Sequence, residues 1–74
     1  MSDRWLIRIE AWPYFSVPQA AAGEKSQAFE VKAGDMRDAF AAALLLQRGV
    51  QANPAVWQAP IKEIRQLDHR EIVA

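Results

Sequence analysis

Residues 4–12, RWLIRIEAW, decide how this chain can fold. Side chains alternate across a β-strand, so Trp5, Ile7, Ile9 and Ala11 share one face, and Leu6, Arg8, Glu10 and Trp12 share the other. The first face is wholly apolar and belongs against a core. The second mixes Arg8 and Glu10 with Leu6 and Trp12, as on a sheet face with partial cover. A strand with hydrophobic residues on both sides belongs in the middle of a sheet.

The remaining elements arrange themselves around it. Residues 13–26 read as a loop, with proline, glycine and small residues concentrated in PQAAAGEKS; part of YFSV is compatible with a prolongation of the first strand beyond a break at Pro13. Residues 27–33 resume the alternation, with Phe29, Val31 and Ala33 inward and Ala28, Glu30 and Lys32 outward. Gly34 ends that strand. Asp35 is placed to cap a helix over 35–48, with Asp38 three residues on as its capping-box partner. Met36, Ala39, Phe40, Ala43, Leu44 and Gln47 recur at helical spacing, a stripe expected to be fully occupied by packing on the sheet. Gly49 stands where a left-handed C-terminal cap belongs.

Residues 49–60 form a connection with two prolines and Trp57, which reads as a satellite core residue. IKEIRQL, 61–67, combines helix-like spacing of Ile61, Ile64 and Leu67 with the charge content of an edge strand. It is assigned as a strand, because two strands and one helix make a lopsided fold that a third strand completes. Residues 68–74 are left as a tail or short further strand.

The expected architecture is therefore α+β, in ββαβ order. A three-stranded, mainly antiparallel sheet of order 2-1-3 carries one helix on one face. A right-handed crossover makes the second and third strands parallel to each other. The opposite face has nothing in the chain to cover it.

Composition narrows the function. At 74 residues the chain is one domain, near the lower size limit for independent folding. Such domains usually lean on disulfides, a metal or a partner. There is no cysteine and one histidine, His69, so disulfides, thiolate metal sites and histidine-rich sites are excluded, and no cofactor is expected. Nine basic residues balance nine acidic ones, so no charge excess favours nucleic acid or an anionic membrane. The N-terminus lacks a signal-peptide pattern, AFAAALLL is too short to span a membrane, and the address expected is a bacterial-type cytoplasm.

Catalytic motifs are absent. Asp68, His69 and Glu71 form a near-terminal charged run expected to be solvated surface. Ser2, Ser16 and Ser26 lack a nucleophile elbow, and AAGEK lacks the spacing of a phosphate loop. Non-catalytic interaction is the function expected, with a homodimer formed through the open sheet face or an edge strand. The contact residues expected are Leu6, Arg8, Trp12, Tyr14 and Phe15. The alternative is a nucleic-acid-binding accessory protein in which Arg4, Arg8 and Lys32 surround aromatics on the same face.

Overall fold

In the computed structural model, which describes residues 3–23 and 25–72, the central strand β1 runs Arg4–Glu10. It pairs antiparallel on one side with β3, Ser26–Lys32, and on the other with β5, Ile61–Gln66. The order β3-β1-β5 is the expected 2-1-3 arrangement. A second, two-stranded sheet joins β2, Trp12–Pro13, to β4, Val56–Gln58. Two helices complete the fold: the four-residue α1, Gln19–Ala22, and the long α2, Met36–Gln51.

The apolar face of β1 builds the core as the alternation requires. Ile7, Ile9 and Ala11 are fully buried beneath α2, joined by Ala22, Ala43, Val56 and Ala59. Trp5, Ala33 and Ala39 form a second cluster toward the other end of the strand. The Trp5 indole N–H donates to the Ala33 carbonyl at 3.0 Å, so this large ring is buried without losing its hydrogen bond.

IKEIRQ is a strand whose irregular pattern comes from a bulge. Arg8 pairs with Glu63, but Ile9 pairs with Ile61, leaving Lys62 as an extra residue. The bulge reverses the alternation, so Ile61 and Ile64, three apart, both face the helix side. Helix-like spacing here is a strand with one residue inserted.

Several boundaries differ from the sequence expectation. The Asp35 carboxylate does cap α2, accepting from the Asp38 N–H at 2.9 Å. The helix does not stop at Gly49, however. It continues to Gln51 and is capped by Ala52, and the positive-φ glycine is Gly23, not Gly49. Asn53 turns the chain instead: its side-chain oxygen accepts from the Ala55 N–H and its carbonyl from the Val56 N–H, both at 2.9 Å. Residues 13–26 are not all loop, since they contain α1 and the end of β2. The YFSV stretch does not prolong the strand; Val17 N–H closes a turn onto the Tyr14 carbonyl. Among residues 68–72 there is a turn and no strand, and residues 73–74 lie outside the described residues.

The helix stripe is also not fully occupied. Ala39 and Ala43 are its buried residues, while Met36, Phe40 and Leu44 stay about half exposed and Leu45 more so. Small side chains let the helix backbone approach the sheet closely, and the larger residues flank that contact. The core is accordingly thin: among the described residues, Ile7 and Ile9 are the only large hydrophobics that are fully enclosed.

This seating makes a contrast that unfolding experiments can read. Ala43→Leu should destabilise the fold by about 1–3 kcal/mol through overpacking. Leu44→Ala, one position on, should cost less than about 1 kcal/mol. Urea denaturation of the two variants checks this, and equal losses would contradict the proposed seating.

Candidate interaction surface

On the sheet face away from α2, the outward residues of β1 are met by charges from both neighbours. Arg4 bonds Glu30 twice, Nη2 to Oε1 at 2.7 Å and Nε to Oε2 at 3.1 Å. Arg8 Nε lies 3.5 Å from Glu63, which Arg65 also approaches at 3.6 Å. Glu10 sits between Lys62 at 3.4 Å and Lys25 at 3.9 Å. The face is therefore an interlaced set of cross-strand ion pairs. Each exposed pair contributes little stability, but drying the face under a partner would carry a substantial desolvation cost.

The expectation that nothing in the chain covers this face is corrected at one end. Residues 67–72 fold back beside Leu6. Arg4 is the anchor: Nη1 donates to the carbonyls of Asp68 (3.2 Å) and His69 (3.3 Å), and Nη2 to that of Glu71 (2.6 Å). The Glu71 carboxylate accepts from Arg65 Nη1 at 2.8 and 3.0 Å and from the Asp68 N–H at 3.3 Å. Asp68 and Glu71 thus fasten a turn. The Arg4 hydrogen bond, opposed by desolvation, holds the Glu30 carboxyl below its ordinary range. Arg65, then the Asp68 amide, does the same for Glu71.

Leu6 is corrected as a contact residue, because it is only 3% exposed and lines the depression shared with Leu67, Arg65 and Glu71. Arg8 remains accessible but is engaged with Glu63. Trp12 is half-buried, its ring 6.4 Å from that of Trp57 and stacked at 25°, with Lys62 Nζ 5.9 Å from its centroid. Trp57 is not a satellite core residue, since half its surface is open. Tyr14 and Phe15 project from the loop, Phe15 fully exposed. Trp12, Pro13 and Tyr14 are held to the β4 segment by the β2–β4 ladder and by Tyr14 N–H donating to the Ala55 carbonyl at 3.2 Å. Ser2 and Glu24 lie outside the described residues.

The larger apolar surface is one that sequence reasoning assigned to the core. Met36, Phe40 and Leu44 line one flank of α2, the flank from which Gln47 Nε2 donates to the Ala59 carbonyl at 2.7 Å. On the other flank, Leu45, Leu46, Gly49 and Val50 join Phe29 of β3 and Ala22 of α1 around a groove of about 400 Å³. The available signal was the i, i+4 pair Ala39 and Ala43, two small residues on one face of the helix that the structure buries.

Among the described residues, no group of three or more His, Asp or Glu side chains is placed to hold a metal ion. No helix there is long and apolar enough to cross a membrane. Neither family models, nor curated proteins, nor solved structures provide a match to this chain.

The C-terminal turn should respond to acid. Because Glu30 and Glu71 have depressed folded-state pKa values, their contribution is complete above the ordinary Glu range and lost as pH falls through the folded values, below about 4. The protection factor of the Leu67 amide, which donates to the Arg4 carbonyl, should drop in that window. Arg4→Met should lower it already at neutral pH. Protection unchanged in Arg4→Met at neutral pH would refute the anchoring role.

Proposed function

We propose that this protein is a small, non-catalytic interaction module that self-associates. The observation that carries the reading is the distribution of apolar surface around α2. The helix rests on alanines, and Met36, Phe40, Leu44 and Leu45 remain exposed beside a core in which, among the described residues, Ile7 and Ile9 are the large side chains fully enclosed. A 74-residue domain without cysteine has few internal means of adding burial. A second copy supplies it, and closed twofold pairing is the commonest way identical chains associate.

The charged sheet face favours association elsewhere, through an edge strand and the flank of α2 beside it, where Leu45 and Leu46 meet Phe29 of β3. Pairing of Arg4 with Glu30 and of Arg8 with Glu63 also weighs against the alternative of a nucleic-acid platform, since both cations already have acidic partners. Tyr14 and Phe15 are then available to a further protein partner.

Light scattering across a dilution series is the test. The expected molar mass at high concentration is twice the 8.3 kDa of the chain, falling toward the monomer on dilution. A monomer at every concentration would overturn the reading.

A further inference from the structure

Building on the self-association reading, we infer that two copies join through β3, edge to edge and antiparallel, extending the sheet across a twofold axis at Phe29. The backbone geometry comes first. Ala33 N–H donates to the Asp3 carbonyl and Ala11 N–H to the Lys25 carbonyl, both in register with the β1–β3 ladder. In an antiparallel pair the residues bonded to a neighbour alternate along the strand. Gln27, Phe29 and Val31 therefore bond β1, and Ser26, Ala28, Glu30 and Lys32 direct their N–H and C=O groups to the outer edge. Among the described residues, no strand pairs with that edge.

The two edges of the sheet are not equivalent. β5 is bulged at Lys62 and preceded by Pro60, two features that blunt an edge against pairing. β3 keeps an uninterrupted register over all seven of its residues and contains no proline. It is regular and open, the kind of edge that templates another strand.

The strand also complements itself. With Phe29 on the axis, Ala28 bonds the second copy's Glu30, and Ser26 bonds the second copy's Lys32, each pair repeated by symmetry. All four outward residues are then satisfied and every side chain keeps its face. No like charges lie directly opposite. Centring on Glu30 instead would set two carboxylates against each other. The Phe29 axis also brings the two apolar grooves together, so that Leu45, 67% exposed in the single chain, packs against the partner's groove. Backbone pairing and apolar burial thus point to the same occupant, a second copy of this chain.

Ala28→Pro tests this directly. It removes an outward N–H while leaving the β1–β3 bonds of Gln27 and Phe29 in place. With native circular dichroism retained, the variant should weaken dimerisation by at least about tenfold, two hydrogen bonds being lost per dimer. Leu45→Lys should weaken it as well, whereas Phe40→Lys, on the far flank, should not. Hydrogen exchange on the unmodified protein supplies a measurement independent of folding defects: the Ala28, Glu30 and Lys32 amides should be protected at dimer concentrations and exchange freely on dilution. A dimer that survives Ala28→Pro, or leaves those amides unprotected, overturns the edge pairing and leaves self-association standing. A protein monomeric throughout overturns both.

Discussion

The close seating of α2 on β1 through Ala39 and Ala43 is the constraint on which the rest of this structure depends. Methyl-sized side chains bring the helix backbone down onto Ile7 and Ile9 and close a core with few large residues. The same choice displaces the helix's large residues to its flanks. Burial at the centre and exposure at the sides are therefore one packing decision, and the exposed flanks follow from the chain's limited means of covering two sides of a helix with a three-stranded sheet.

Flatness follows as well. The Cα atoms extend 45 × 22 × 14 Å with a radius of gyration of 13.2 Å, against about 11 Å for a typical globule of this length. A two-layer body of this shape has a high ratio of surface to core. It manages that surface in two ways. The sheet face away from the helix is dressed in cross-strand ion pairs and fastened at one end by the Arg4-centred turn. The helix side keeps its apolar flanks bare. Charges already paired across three strands are poor material for a dry contact, whereas bare apolar flanks beside a regular strand edge lose little on being covered.

The two strand edges show how local sequence directs association. Pro60 and the extra residue Lys62 distort β5, while the seven residues of β3 pair without interruption. Such asymmetry permits one mode of sheet extension and discourages the other, which favours a closed pair over a growing stack.

The alternation in residues 4–12 and the helical recurrence after Asp35 were sufficient for β1, its inward residues and α2, because these are periodic signals set by backbone geometry, whereas α1, β2 and β4 carried no such signal. The Asp35 cap was legible for the same local reason. The helix end was not: Gly49 permits a left-handed cap but does not require one, and Asn53 makes the turn. Leu6, Trp57 and the flanks of α2 were also beyond pattern reading. Leu6 is buried because residues far along the chain return to it through Arg4, and Trp57 meets Trp12 only because β2 leaves the main sheet for β4. Which apolar residues of α2 face the core depends on how near the sheet it lies, a distance that periodicity does not contain. The sequence by itself determined the two long strands, the long helix and the three-strand order, since these follow from spacing along the chain and from how few elements there are to arrange. Tertiary structure alone decided which hydrophobic residues stay exposed, since that depends on contacts between segments distant in sequence.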